Sequence, residues 1–463
     1  MESASSQRID RKIPVCCTIY ENYVWLLNCY VLDFFTESHW EKLPKSWQNS
    51  LKNLDSNEIS KLLNYDEKLS GNVWPLSILA LKHVLKSLSL SRKTIDLDIQ
   101  NPFFTKDEKL LKLFWKNVKA KKRHEISVMS KICYDSAVKT DCFYIVDIGS
   151  GLGHLSRMLN YGYGFKVCTI EAQELLSQQA QNLDNEFEIV LERKFPGCLK
   201  YNKTVHINKR IESNITTNEF LTTIRNAMNS EDDDFKFGIV GLHPCGDLGA
   251  TLLKLYAQCP NAQFINIVGC CYMKLSTLPG PTQGFPLSQF CKSRNYTLSY
   301  HSREIACHAI ENYIEKLNRK ECWRLKIHTY RAALEKLITQ NYPKYRHSAL
   351  NSVKYSEDLT FENYCHKATE KLKIDFGDVK LQSSEIEDLL AQWRDVVVFY
   401  SLRLLFAPLI ESIIHLDRLL FVEETGNTGQ IVPVFDAKIS PRTHVLTARK
   451  SVINKTNCTF LKK

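Results

Sequence analysis

The chain has 463 residues, of which 44% are hydrophobic and 24% charged, the composition of an ordinary globular protein with room for a large core in one or two domains. A formal charge of +10 is compatible with a nucleic-acid partner but does not by itself call for one. Sixteen cysteines without a single CxxC pair argue against a zinc ribbon, and Met1–Cys17 lacks the charged-then-apolar order of an export signal, so reduced thiols in the cytoplasm or nucleus are expected.

From the N-terminus, Tyr20, Tyr23, Leu26, Leu27, Tyr30, Val31 and Phe34 recur at three-and-four spacing and predict an amphipathic helix. Leu43-Pro44-x-x-Trp47 and Trp74-Pro75 open two more, which makes residues 1–115 an all-helical region. Residues 96–125 form a polar connection ending in the densest basic run of the chain, Lys116-x-x-Lys119-x-Lys121-Lys122-Arg123, followed by His124 and Glu125. That run reads either as a solvated helix face or as a phosphate-contacting helix, and His124 and Glu125 are candidates to approach a cofactor.

The organising stretch is 144–173. A strand over Tyr144–Ile148 carries Asp147 and feeds the turn Gly149-Ser150-Gly151-x-Gly153, a helix is expected over Leu152–Asn160, and a second apolar run ends in Glu171. Glycines let the backbone bend sharply and approach a ligand, while an acid at the tip of the second strand can accept both ribose hydroxyls of an adenosine cofactor. The dinucleotide pattern would need a third glycine where His154 stands. The spelling D-x-G-S-G-x-G, with an acid before the turn, instead suits S-adenosylmethionine (SAM), which carries an amine and no pyrophosphate.

A helix over Leu175–Asn185, a strand over Thr204–Ile211, an acidic loop at Glu231–Asp234, a strand over Phe235–His243, a helix over Asp247–Gln258 and a strand over Gln263–Tyr272 continue the alternation. Alternation of this kind predicts an α/β fold with a doubly wound parallel sheet and ligands at the carboxyl ends of its strands. Residues 285–390 break it as a mostly helical insertion. A helix over Val396–Ile414, a strand around Arg418–Glu423 and a strand over Thr443–Ala448 then complete a Rossmann-like sheet of seven strands. The expected segments are therefore 1–115, 116–284, 285–390 and 391–463. Val396–Val422 is apolar enough to resemble a membrane span, but Arg403, Glu411, His415, Asp417 and Arg418 within it favour a buried helix.

Two strand ends carry further chemistry. Gly241-Leu-His243-Pro244-Cys245-Gly-Asp247 closes the fourth strand, where His243 is a candidate base and Asp247 a helix cap or cofactor contact. Gly269-Cys270-Cys271-Tyr272 closes the fifth, with Tyr272 placed either on a substrate base or in the core. His243, Cys245, Cys270 and Cys271 are expected to converge. They read as an activated thiolate, as a zinc site, or as small residues that permit close approach. Adjacent cysteines strain a shared tetrahedral site, so no metal is assigned. The candidate catalytic set is His243, Cys245, Cys271 and Tyr272, and the candidate cofactor set is Asp147, Gly149, Ser150, Gly151, Gly153, Glu171, His243, Pro244 and Asp247. The D/N-P-P-aromatic motif of amine methylation is replaced by His243-Pro-Cys-Gly246, which disfavours exocyclic adenine amines as acceptors.

Taken together, Val146-Asp-Ile-Gly-Ser-Gly-Leu-Gly-His-Leu-Ser156, the two strand-end motifs, Arg303-Glu-Ile-Ala-Cys-His308, Ile439-Ser-Pro-Arg442 and the N-terminal Phe34-Phe35…Trp47 region resemble the methyltransferase-like protein 25 family, in the branch named for a ribosomal-RNA adenine dimethylase-like domain. The resemblance implies a SAM-dependent methyltransferase. The Leu-His-x-Cys-Gly and Cys-Cys signatures also resemble a tRNA ribose methyltransferase family, which turns the expected acceptor toward RNA, with protein as the alternative acceptor. A scaffold that keeps the fold without turnover is the other expectation, its partner surfaces being the N-terminal helices and the insertion.

Overall fold

The computed structural model describes residues 3–52, 54–97, 108–116, 118–197, 201–230, 235–277, 283–319, 322–377 and 379–450. The acidic run Glu231–Asp234 lies outside them. The chain divides into two compact units. One comprises Met1–Pro14, Ser91–Leu298 and Ile413–Lys463, and the other Val15–Leu90 and Ser299–Ser412. The segment 391–412, expected to rejoin the sheet domain, instead belongs to the second unit together with the N-terminal helices.

The first unit is built on a seven-stranded sheet: β1 Tyr144–Ile148, β2 Lys166–Glu171, β3 Val205–Asn208, β4 Phe237–Gly241, β5 Ala262–Val268, β6 Thr428–Pro433 and β7 His444–Arg449. Its order is β3-β2-β1-β4-β5-β7-β6. Neighbours from β3 to β5 are parallel, and β7 is antiparallel to both β5 and β6. Side chains alternate between faces, as strand geometry requires. Ile145, Val167, Val240, Phe264 and Val445 face one core, with the helices Ala120–Thr140 and Glu174–Lys194. Val146, Ile148, Ile170, Ile239, Ile265 and Leu446 face the other, with Thr217–Met228 and Leu248–Gln258. Gly238 is required in mid-sheet because the Phe264 ring lies over it, and a Cβ there would sit 2.1 Å from that ring.

Most expected elements of this unit are present, with shifted ends. The helix expected over Leu152–Asn160 is a short α-turn, His154–Arg157, followed by a π-turn, Met158–Gly162. The strand expected around Arg418–Glu423 is not one. Those residues end the helix Ala407–Glu424, and the sixth strand begins only at Thr428. A helix buried on all sides has no polar face, so the 3.6-residue period that would identify it is lost and its last apolar run imitates a strand.

The second unit is helical. It includes Lys45–Leu51, Ser56–Leu63, Leu76–Leu88, Ile310–Asn318, Ile327–Asn341 and Trp393–Leu404. Leu334, Ile338, Phe361, Tyr364, Cys365 and Ile386 form its core. Asp55 and Glu58 make a reciprocal capping box at the start of Ser56–Leu63. The helical stretch Trp393–Glu424 is long and apolar enough to cross a membrane by composition, but its most apolar window is entirely buried within the protein.

Candidate active site

The strand order reverses between β1 and β4, the position at which doubly wound sheets open a crevice beyond the carboxyl ends of their strands. The glycine turn occupies it. Gly149 and Gly151 both have positive φ, 71° and 56°, which glycine adopts freely and other residues resist. A Cβ on Gly151 would meet nothing within 4 Å, so this backbone is open to an approaching ligand. The Gly151 N–H donates to Glu171 Oε2 at 2.9 Å, and the Gln173 N–H donates to Oε1 at 2.9 Å. The carboxylate at the tip of β2 is thus held facing the turn, with lone pairs remaining for further donors.

Two cavities meet here. The larger, about 530 Å³, is lined by Ile170, Glu171, Gln173, Ile211, Cys245 and Asp247 among others. The smaller, about 370 Å³, is lined by Asp147, Ser150, Gly151, Lys122, His154 and Leu242 among others. Gly149 and His243 belong to both walls. Asp147 is buried, accepts a hydrogen bond from Ser156 Oγ at 2.5 Å, and has its carboxyl pushed up to about 6 by burial. Ser150 Oγ is a buried hydroxyl with no hydrogen-bond partner among the described residues.

His243 is positioned from below. Its Nε2 lies 3.2 Å from Glu125 Oε2, while Glu125 Oε1 accepts from Ser440 Oγ at 2.7 Å. Burial works to raise the Glu125 carboxyl, but the His243 and Ser440 hydrogen bonds outweigh it and hold it at about 2. Burial likewise works to lower His243, and its hydrogen bonds to Cys270 and Glu125 outweigh it and raise it.

The thiols converge as expected. Cys245 Sγ is 3.3 Å from Cys271 Sγ and 3.9 Å from Cys270 Sγ, and Cys270 and Cys271 are 3.5 Å apart. Cys271 achieves this with φ 49°, a left-handed conformation that costs a non-glycine residue about 1–2 kcal/mol. The hydrogen bond between Cys245 and Cys270 lowers the Cys245 thiol, and it is the first cause of the rise of Cys270 to about 11, burial the second.

Several sequence candidates have other roles. Tyr272 is fully buried, 3.1 Å from His415 Nε2 and stacked under Arg442, so it packs in the core and presents nothing to a substrate. Asp247 makes no side-chain cap; its Oδ1 accepts from the Ser276 N–H at 2.8 Å. Gly153 and Pro244 are not among the residues lining either cavity. Gly153 has φ 68° at the start of His154–Arg157, so its role is to let the backbone turn into that helix. His124 accepts from the Asp436 N–H at 3.0 Å, and Glu125 supports His243. Arg303–His308 belongs to the second unit, where Glu304 pairs with His308 at 2.6 Å. The supporting residue that sequence reasoning missed is Ser440. Ser440 lies in the Ile439–Arg442 motif, which flagged it without giving a role.

A family model described as a methyltransferase domain matches residues 121–278, the span from the basic helix through β5. Over these residues the chain is similar to methyltransferase domains. The chain is related to the probable methyltransferase-like protein 25 of Mus musculus, 27% identical over 230 residues that make up 46% of this chain and 37% of that one. It is related also to the Homo sapiens protein, 28% identical over 226 residues, 46% of this chain and 36% of that one. The match thus spans little more than a third of those relatives' length. Solved structures with some similarity include the plantazolicin methyltransferase BpumL in complex with SAH, 12% identical, covering 75% of this chain and 91% of that one at a TM-score of 0.23. BamL with a triazolic desmethylPZN analog and SAH is 12% identical, covering 63% and 85% at 0.22.

The methyl donor of the domain is SAM, and the residues present fit it. Glu171 has acceptor capacity for a ribose diol, the Gly149–Gly151 backbone is open, Ser150 Oγ awaits a partner, and Asp147 offers a carboxylate near the turn. One consequence is measurable. Asp147 is neutral below about pH 6 and charged above it, and the ammonium of SAM favours the charged form. SAM affinity should therefore rise with pH up to about 6 and level off above it, by about tenfold in all between pH 5 and 7. Titration calorimetry across that range checks it; a flat profile would remove Asp147 from the amine's surroundings.

Proposed function

We propose that this chain is a SAM-dependent methyltransferase whose acceptor is RNA. The observation that carries the reading is the pair of cavities sharing Gly149 and His243 at the strand-order reversal, with Glu171 at one end and His243 and Cys245 beside the glycine turn. SAM, when bound, supplies a methyl group on a sulfonium that is already an activated leaving group. The protein therefore needs chiefly to align donor and acceptor. Glu171 and the glycine turn would fix the adenosine, Asp147 would face the amine, and His243, held by Glu125, would form the wall against which the acceptor is aligned.

RNA is favoured by the basic residues at the rim and by the strand-end motifs. Lys119 and Lys122 line the smaller cavity, and Lys116 is exposed nearby in sequence. Arg123 is occupied with the backbone carbonyls of Val118 and Trp115, and Lys121 lies 3.6 Å from Glu125. The contributing cations are then Lys116, Lys119 and Lys122. Replacing Lys116 and Lys119 by glutamate should weaken RNA binding and reduce its logarithmic salt slope by about 1.4, the value for two lost single-strand phosphate contacts. An unchanged slope would make these residues ordinary surface. The deciding experiment offers total cellular RNA and total protein with methyl-labelled SAM and traces the label. Label in a nucleoside is the expected result, and label in an amino-acid side chain only would replace the acceptor.

A further inference from the structure

We propose that Cys245, Cys270 and Cys271, with His243 as fourth ligand, form a zinc site that pins together the loops following β4 and β5. The three sulfurs are 3.3, 3.5 and 3.9 Å apart. Thiolates on one tetrahedral zinc, each about 2.3 Å from the metal, stand about 3.8 Å from one another, so the three sulfurs need to move only a few tenths of an ångström, and the His243 ring swings in from outside their group to complete the set. Three thiols at such separations, with no disulfide between them, are a donor set in search of a cation.

The surroundings match those of a metal site. His243 gives one ring nitrogen to Glu125, and its Nδ1 is buried without a hydrogen bond of ordinary geometry. A metal-ligating histidine typically gives its other nitrogen to a carboxylate, which fixes the ring, and Glu125 is itself fixed by Ser440. The left-handed Cys271 backbone turns two adjacent thiols to the same side, which answers the objection that neighbouring cysteines cannot share one ion. The parallel bridge between Cys245 and Cys270 already brings the loops together. A second cluster, Asp33, Glu335 and His347 in the helical unit, carries no such case, because Arg346 lies 3.2 Å from Asp33 and meets its charge. With four protein ligands the site is closed and structural, and it forms part of the wall that carries His243 and Cys245 into the donor cavity.

The proposal is independent of methyl transfer, since metal content is read on the full chain without SAM. Protein produced in zinc-supplemented medium should hold about one zinc per chain, and Cys245→Ser/Cys270→Ser/Cys271→Ser should hold less than about a tenth of that. Glu125→Gln, which leaves every ligand in place, should weaken zinc binding roughly 10–100-fold in a chelator competition. Because the triple variant could fail to fold, the wild type is also loaded with Co²⁺. Intense thiolate-to-metal charge-transfer absorption with tetrahedral d–d bands is expected, and a titrated mercurial should release the metal. Substoichiometric zinc, zinc retained by a folded triple variant, or a cobalt spectrum without thiolate bands would each overturn the site.

Discussion

Glu171→Ala should weaken SAM binding at least about a hundredfold, since two hydrogen bonds to a charged acceptor contribute about 1.5–3 kcal/mol each and their sum is 3 kcal/mol or more. The carboxylate has a second task that adds to the loss. It accepts the N–H groups of Gly151 and Gln173, so its removal also releases the glycine turn from the tip of β2. Glu171→Gln separates the two effects. It retains one acceptor oxygen and most of the shape, so its affinity should fall between wild type and alanine. The measurement is equilibrium binding of labelled SAM, with thermal melting to show that the fold survives. Affinity unchanged by either substitution would mean that the adenosine is held elsewhere, and the methyl-transfer reading would lose its anchor.

How far the sequence carried this picture depends on what each stretch buries. Tyr144–Ile148, the glycine turn and Glu171 were legible because a short apolar run, positive-φ glycines and an acid at fixed spacing report the same strand–turn–strand unit at three levels. The convergence of His243, Cys245, Cys270 and Cys271 was legible for a similar reason, since consecutive parallel strands end on one edge. Tyr272 was not. Its direction is set by the left-handed Cys271, and nothing in the residue types reveals a backbone angle of that kind. Asp247 looked like a helix cap because it stands before Leu248–Gln258, yet a loop 29 residues on takes the carboxylate, a choice made by tertiary contact. Glu125 was seen as a possible cofactor contact, while its partner His243 is 118 residues away. Support of this kind leaves no local pattern.

The same limitation explains the misread end of Ala407–Glu424 and leads to the largest stability effect expected of a single substitution. Asp417 is fully buried in this helix, and its oxygens accept the Leu287 N–H at 2.7 Å, the Ser288 N–H at 2.9 Å and the Ser288 hydroxyl at 2.6 Å. Ser288 Oγ in turn accepts from the Cys291 N–H, so one carboxylate fixes the start of the helix Gln289–Ser293. Burial raises the Asp417 carboxyl despite these donors, so its placement is costly and is retained because the donors have no other partner here. Asp417→Ala leaves two backbone N–H groups and a hydroxyl buried and unpaired at about 1–3 kcal/mol each, and part of that is relieved by relaxation. The expected loss is about 3–5 kcal/mol, a fall of roughly 10 °C in the melting temperature of the sheet unit. Asp417→Asn keeps one acceptor oxygen and should lose about half as much. Denaturant melts followed by circular dichroism measure both. A loss under about 1 kcal/mol for alanine would mean that the 287–293 segment finds other acceptors, and that this helix is held by apolar packing alone.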